Sequence, residues 1–248
     1  EKGDKFHVVS MRNGSGTAAT ANSSQTQKEN LKFEFTETVL DTAPNEPRPT
    51  KVSRVYKTAE QTDENGKLES RTYAGKTISI EKFHNGYKFA VNGGVMVPLE
   101  QKEVSDDFLG GKGNYEGLLS KSAVKVGEEW PVDFAAFKGM AVKMPVQPDK
   151  TNSKIMGKLT RVYKKDGQQW GVIEWKIVLV FDTSTSKGVP VRGSMPMTVT
   201  VDTAIDGSAR PTSIRMTVQG KFDTKNDLGH DLKSTIEGTQ EQTITPVR

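Results

Sequence analysis

Three histidines are the side chains of this sequence best suited to acid–base catalysis. They are His7, His84 and His230, and no two of them are close in sequence. A catalytic triad assembles in space, so one of these histidines could still meet a distant serine and aspartate. A hydrolase therefore stays open as a hypothesis, but the spacing indicates no nucleophile or base, and we assign no catalytic residue.

Two short motifs with a known chemistry are incomplete. Gly75-Lys76-Thr77 is similar to the end of a phosphate loop, but that motif needs a glycine where the chain has Ser70, and alternating residues follow it instead of a helix. Ser-x-x-Lys occurs at Ser122 and at Ser184, without the partner motifs of the acyl-transfer enzymes that use it. Neither motif supports a nucleotide site or a serine nucleophile.

Metal and cofactor sites are also not expected. The chain has no cysteine, which excludes disulfides, thiol nucleophiles and cysteine-based metal sites. The segment 223–231 is rich in oxygen ligands, but Lys225 stands where a calcium loop needs an acceptor. We interpret this segment as a polar hairpin turn, and we predict neither a metal nor a cofactor.

Charge and hydropathy limit the partners. The net charge is +4, but the basic residues are scattered and their longest run is the pair Lys164-Lys165, so we expect no nucleic acid. No stretch approaches the roughly 18 apolar residues of a transmembrane helix. The sequence begins at Glu1 instead of methionine, and we interpret this as a removed signal peptide, with a truncated chain as the alternative.

Aromatic and methionine side chains form the candidate ligand-binding set. Thioethers pack adaptably, so a methionine-rich concave face suits an apolar ligand, although the same residues could simply fill gaps in a β core. The ligand hypothesis predicts a cavity of at least ~300 Å³ at the methionines of the second half. The candidate residues are Trp130, Phe134, Phe137, Met140, Met195, Met197 and Met216.

Alternating polar and apolar residues dominate the rest of the chain. Runs with a period of two, separated by turn residues, predict antiparallel strands joined by hairpins. Asn13–Gly16 predicts a turn, and the polar tract 17–30 is interpreted as a flexible segment or an edge strand. The run 168–182 is apolar on both faces, which predicts a central strand covered on both sides.

Helices are expected at two places only, at 105–110 and at 133–139, with Ser105 and Asp133 as their N-caps. The predicted fold class is all-β and mainly antiparallel, as a long curved meander sheet or an open half-barrel with two short helices. The predicted domain is 1–248. The alternative is two β halves, 1–103 and 151–248, joined by a covering segment, 104–150.

One heptapeptide occurs twice in closely similar form. Lys51–Lys57 and Lys158–Lys164 are identical at five of their seven positions, and a hairpin turn follows each copy. Convergent strand composition explains the match, and an old duplication is the alternative.

The centre of the chain resembles a known sequence pattern. Leu118-Leu119-Ser120-Lys121 followed by Val124-Lys125-Val126-Gly127-Glu128-Glu129-Trp130 is similar to a signature of uncharacterised secreted or lipid-anchored β-rich proteins of Bacteroidetes- and Planctomycetes-like bacteria, with Ser120 in place of the usual proline. The resemblance implies an exported protein of the periplasm or cell surface and implies no activity. The strand pattern also looks like the half-barrel lipid carriers of the LolA and LppX type.

Three functions remain as hypotheses at this point. The first is an exported, non-catalytic protein that binds a lipid or another apolar or amphipathic ligand on a curved sheet. The second is a structural or interaction module of the bacterial envelope, with a protein or polysaccharide partner. The third is a hydrolase with an unrecognised site, which requires a histidine within reach of a nucleophile and a carboxylate.

Overall fold

The computed structural model of this chain is built almost wholly from antiparallel strands. It describes all residues except 45, 47, 64, 111–114, 138–145, 186–187, 206–209, 227–228 and 248, with the backbone alone at 110, 115, 116, 136 and 137. The strands are β1 (Lys5–Ala19), β2 (Ser24–Asp41), β3 (Lys51–Thr62), β4 (Leu68–Ser70), β5 (Thr77–Phe83), β6 (Gly86–Val91), β7 (Gly94–Val95), β8 (Glu129–Pro131), β9 (Asp149–Lys165), β10 (Gln168–Ser184), β11 (Pro190–Ala204), β12 (Ser213–Lys225) and β13 (Asp231–Pro246).

The described strands form one open sheet. Its order is β7-β6-β5-β3-β2-β1-β13-β12-β11-β10-β9-β8, and β4 pairs with β3 outside this path. The first strand therefore lies beside the last, so a run of hairpins from β1 to β7 and another from β8 to β13 meet at the β1–β13 pair. The backbone amide of Val247 donates to the carbonyl of Lys5 at 2.9 Å at one end of that pair.

The predicted architecture needs correction, although the all-β class and the open antiparallel sheet are confirmed. The prediction of one curved meander or half-barrel with two short helices is wrong. The described strands form a 13-stranded sheet in which β1 and β13 pair, and the substantial helix is a single one, α1 (Pro98–Gly110), of 13 residues. The other helical pieces are a 3-10 helix (Tyr115–Leu118) and one turn, α2 (Phe134–Phe137).

The helix α1 begins seven residues before the predicted cap at Ser105. Proline suits the first helical turn, where its missing N–H is not needed, and Pro98 provides that start. The buried side of α1 carries Glu100 and Asp107 among its apolar residues, so the expected apolar period is weak. At α2 the amide of Ala135 donates to the Asp133 carboxylate at 2.8 Å, as the predicted cap requires; the predicted end at 139 lies outside the described residues.

The chain divides into two compact units. Unit 1 comprises Glu1–Met11, Asn30–Asn114 and Gln242–Arg248, and unit 2 comprises Arg12–Glu29 and Tyr115–Glu241. In unit 1 the core lies between α1 and one face of β2, β3 and β5, where the wholly buried side chains include Phe35, Ile78, Ile80 and Phe108. In unit 2 the most buried side chains lie on β10 and on the 3-10 helix: Trp175, Ile177, Leu179 and Leu118.

Two further strand predictions are wrong. The segment Asn13–Gly16 does not turn but lies inside β1, and the turn comes at 20–23 instead. The strand β10 is central, as predicted, but Val178 on its second face is 40 % exposed. That face is therefore not covered, and the apolar run reflects the strand preference of valine as much as burial.

Candidate functional site

One face of the unit 2 sheet changes from deeply buried to half-buried across neighbouring strands. On β10, Trp175, Ile177 and Leu179 are at most 1 % exposed. The residues directly opposite them on β11 are Val199, Met197 and Met195, which continue the same face. This continuous apolar face of unit 2 is the candidate site.

Two tryptophans hold the 3-10 helix against the buried part of this face. The indole N–H groups of Trp130 and Trp175 both donate to the carbonyl oxygen of Leu118, at 2.9 and 3.0 Å. The strand β8 pairs Trp130 with Gly157 of β9, and the indole ring lies where a side chain at Gly157 would be. Because a carbonyl oxygen has two lone pairs, one acceptor satisfies both indoles and ties the 3-10 helix to β8 and β10.

The uncovered part of the face lies on β11, β12 and β13. Gly193, Met197, Val199 and Val201 of β11 stand opposite Phe222, Val218, Met216 and Ile214 of β12, so these residues share the face. Toward β13 the apolar side chains become half-buried rather than buried. We call this half-buried set the open apolar face; its residues are Met197, Met216, Val218, Phe222, Leu232 and Ile236.

Glycines shape this surface. A Cβ at Gly220 would lie 2.8 Å from the Ile236 side chain and 2.8 Å from the Phe222 ring, so both neighbours rest over the Gly220 backbone. A Cβ at Gly238 would approach the Val218 side chain at 3.4 Å. The sheet backbone at Gly220 is therefore covered, and a ligand there would contact the side chains of Ile236 and Phe222.

The sequence-predicted ligand residues are only partly gathered on this face. Met197 and Met216 belong to the open apolar face, whereas Met195 is 8 % and Trp130 7 % exposed. Phe134 is half-buried on α2, a turn that contacts β9 and the 3-10 helix. The side chain of Phe137 and the whole of Met140 lie outside the described residues.

Residues missed by the sequence reasoning complete the face. Val218, Phe222, Leu232 and Ile236 follow the two-residue period of β12 and β13, which marks the face they share. The pattern does not tell which inward side chains are covered, because that depends on what packs above them. Only the structure therefore separates the open apolar face from the core.

One cavity of unit 2 lies elsewhere and is lined mainly by polar residues. Its volume is about 410 Å³, and it lies at the hairpin tips where β1 meets β2 and where β12 meets β13. Its lining includes Thr20, Asn22, Lys225, His230 and Asp231, and Lys225 donates to Asp231 at 3.1 Å. None of the described methionines of the second half lines this cavity, and the methionine-lined cavity stays a prediction.

The three histidines do not assemble a catalytic group within the described part of the chain. His7 lies on β1 with its Nε2 3.7 Å from Glu34, His84 lies in the turn after β5, and His230 lies at the tip before β13. In the described residues none of the three imidazoles is hydrogen-bonded to a serine or threonine hydroxyl. No group of three or more potential metal ligands occurs among the described residues either.

Unit 1 contains a buried ionic cluster that the sequence reasoning also missed. Arg54, on β3, is 2 % exposed; it donates to Glu37 at 2.9 Å and to Asp107 of α1 at 2.7 Å. Burial by itself lowers the pKa of Arg54, but the oxygens of Tyr56, Glu37 and Asp107 raise it by more, so Arg54 stays charged. Phe35 and Phe108 enclose its guanidinium, with ring centroids 4.4 and 5.4 Å away.

Two more contacts hold α1 on unit 1. The Glu100 carboxylate accepts from the backbone amide of Thr72 at 2.7 Å and from its hydroxyl at 2.5 Å. Arg71 donates to Glu103 through its Nε at 3.0 Å. Three carboxylates of α1, Glu100, Glu103 and Asp107, thus bind residues outside the helix, which indicates a structural cluster.

Comparisons with known proteins add little. No protein-family model matches the sequence, and no curated protein matches it. One similar solved structure is described as "Lipid-protein interactions in lipovitellin", with a TM-score of 0.47 and 7 % sequence identity. The match covers 99 % of this chain and 25 % of that one, so the chain spans about a quarter of the lipovitellin length.

Among the described residues, no helix is long and apolar enough to cross a membrane.

Proposed function

We propose that this chain is a non-catalytic binding protein that holds an apolar or amphipathic ligand on the open apolar face of unit 2. The observation that carries the proposal is the gradient of burial along one continuous face. Trp175 and Ile177 on β10 are buried, whereas Met216 and Val218, on the same face of β12, are half-buried.

A contiguous, half-buried apolar surface favours an occupant. Water in contact with such a surface costs about 25 cal/mol for each Å² that a ligand could cover. Methionine adapts to ligands of different shape, and Met197 and Met216 are both part of the surface. The open apolar face continues from β11 through β12 to β13, so an extended chain can lie on it.

The test uses an uncharged environment-sensitive dye as the probe. We expect the dye to bind the wild-type protein and to be displaced by an uncharged long-chain alcohol. Met216→Lys puts a charge on the face and should weaken dye binding at least about tenfold, since burial of an unpaired charge exceeds 1.4 kcal/mol.

The matched control is Thr217→Lys, one residue along on the exposed opposite face of β12. It adds the same side chain and should leave dye binding unchanged. Equal loss of binding in the two folded variants would refute the assignment of the ligand to this face. Circular dichroism and thermal unfolding establish that both variants are folded.

We also propose that the protein is exported to the periplasm or cell surface of a bacterium, as a member of the β-rich family with the central signature. Only the similarity of Leu118–Trp130 to that signature supports this proposal. Fractionation of the native host should find the protein outside the cytoplasm. Recovery with the cytosolic fraction would contradict it.

An interaction module is the second candidate, because unit 1 exposes apolar side chains beside an edge strand. Val95 of β7 is 94 % exposed, and Val97 and Leu99 just after it are 53 % and 60 % exposed. An exposed edge with apolar side chains suits an added strand from a partner. A photocrosslinker at position 95 in the native host should then capture one defined protein, and the same group at exposed Lys88 should not.

A further inference from the structure

We infer that the ligand of the open apolar face is a long-chain fatty carboxylate whose head group binds the guanidinium of Arg12. This inference rests on the proposed function and adds to it the charge and the orientation of the ligand. It starts from the position of Arg12 in β1, within unit 2.

Arg12 lies on the inward face of β1. Burial alternates along the strand: Val8 and Ser10 are buried and Arg12 is half-buried, whereas Met11 and Asn13 are exposed. Alternation places every second residue of a strand on the same face. The cation of Arg12 therefore points to the side of the sheet that carries the apolar residues.

The same face of β1 continues into the open apolar face. Beyond Arg12 come Gly14 and Gly16, and a Cβ at Gly16 would lie 3.9 Å from the Cγ2 atom of Ile236. Because Gly14 and Gly16 have no side chains, nothing on β1 separates Arg12 from Ile236. Four residues of strand correspond to roughly 13 Å, so the cation lies within the length of an acyl chain from the apolar residues.

Arg12 has no partner among the described residues. No hydrogen bond, ion pair or ring contact joins its guanidinium to any of them, although the two buried or nearly buried arginines of unit 1 are paired. Arg54 has Glu37 and Asp107, and Arg71 has Glu103. A half-buried cation without a protein anion is open to a ligand anion, whose counter-charge offsets the partial desolvation of the guanidinium.

The chemistry of guanidinium favours a carboxylate head group. Its planar fork matches the two oxygens of a carboxylate, so two parallel hydrogen bonds can form. The apolar residues then receive the hydrocarbon tail: from Met216 to Phe222 the face extends roughly 20 Å along β12. A single-chain anionic amphiphile satisfies both parts of the surface at once.

The competing explanation is that Arg12 only covers apolar surface with its methylene stem while its charge stays in water. The two explanations differ in what they predict for ligands with and without charge. If the guanidinium binds the head group, the carboxylate gains affinity over an uncharged ligand of the same chain. If the stem merely covers the sheet, both ligands bind equally.

The experiment compares oleate with oleyl alcohol by calorimetric titration of the full chain below the micelle concentration. The wild type should bind oleate more tightly. Arg12→Gln should weaken oleate binding about 10- to 100-fold, the factor of one charge-assisted hydrogen bond, and leave the alcohol unchanged. Arg12→Lys keeps the charge without the fork and should lie between them.

Arg192→Gln is the matched control, because Arg192 is an exposed arginine that pairs with Asp182 on the outer face of the sheet. It should bind both ligands as the wild type does. Equal wild-type affinity for oleate and the alcohol, a comparison that needs no variant, overturns the role of Arg12 while the proposed function stands. If the wild type binds neither ligand, the proposed function fails, and this inference fails with it.

Discussion

The repeated heptapeptide lies in two different environments. Its first copy, Lys51–Lys57, is part of β3 under the helix of unit 1, and its second copy, Lys158–Lys164, is part of β9 in unit 2. The arginine at the fourth position is 2 % exposed as Arg54 and 65 % exposed as Arg161. The same local sequence therefore forms a buried ionic cluster in one unit and a solvated surface in the other.

A β-bulge explains the difference. In β9 the register with β10 shifts between Leu159 and Arg161, so Thr160 is the extra residue and the inward alternation changes at that point. In β3 the shift comes later, at Lys57, after Arg54 has already faced inward. Since a one-residue shift exchanges the two faces of a strand, the position of the bulge decides which copy buries its arginine.

The largest expected effect is the loss of Arg54. Arg54→Ala leaves Glu37 and Asp107 as buried carboxylates without a cation, which should lower the free energy of unfolding by about 3–5 kcal/mol. Arg161→Ala, at the equivalent position of the second copy, should change it by no more than about 0.5 kcal/mol. Urea unfolding measures both variants, and equal losses would show that burial does not distinguish the two copies.

Alkaline pH should act on the first copy through Tyr56. Burial raises the pKa of Tyr56 to about 12, compared with about 10 in an unfolded chain. Between these values the folded protein keeps a proton that the unfolded chain loses, so stability is full below pH 10 and falls as the pH rises through 12. The total loss from this residue is about 2–3 kcal/mol.

Tyr56→Phe is the variant that isolates this contribution. It gives up the hydrogen bond from Arg54 at 3.3 Å, so it should be less stable than the wild type at neutral pH. The difference in unfolding free energy between the two proteins should then shrink from pH 10 to 12. A constant difference over that range would mean that Tyr56 ionises equally in both states.

The fold was predictable where local pattern decides it. Turn residues such as Asn65-Gly66 and alternating apolar residues identified most strands, because period and turn chemistry are local properties. The pairing of β1 with β13 joins residues more than 200 positions apart, and nothing local encodes it. The sequence predicts too short a helix at α1. Carboxylates such as Glu100 occupy the buried side of this helix, where a helical sequence pattern would have apolar residues.

A third prediction concerns the covered end of the unit 2 face. A methyl group at Gly157 would overlap the Trp130 ring, so Gly157→Ala should displace β8 and the indole and destabilise the protein by about 1–3 kcal/mol. The comparison variant is Gly86→Ala in unit 1, where a Cβ meets nothing within 4 Å. Thermal unfolding and tryptophan fluorescence should change for the first variant alone; an unaltered Trp130 environment would contradict the close packing.

The candidate site was predictable in part for the same physical reason. Met197 and Met216 were expected to contact a ligand from residue type alone, and the structure places both on the open apolar face. The sequence predicts a strand at 5–12 that ends with Arg12, but the turn predicted at Asn13–Gly16 would have separated Arg12 from the apolar residues beyond it. Arg12 is a candidate because its guanidinium has no ion-pair partner among the described residues, and ion pairs can be identified only in the folded chain.

The smallest expected effect is a change in the pKa of one tyrosine of the repeated heptapeptide, Tyr163 in the second copy, compared with Tyr56 in the first. The pKa of Tyr163 is raised to about 12, as that of Tyr56 is, by burial and by the hydrogen bond that Tyr163 donates to Asp202 at 2.6 Å. Asp202→Asn removes a negative charge beside the phenol, so the pKa of Tyr163 should fall toward 10 while that of Tyr56 stays near 12. Ultraviolet titration of Asp202→Asn, with Tyr163→Phe to assign the step, measures this shift. A titration curve unchanged from the wild type would mean that burial alone sets the pKa of Tyr163, and the two copies would then not differ in this respect.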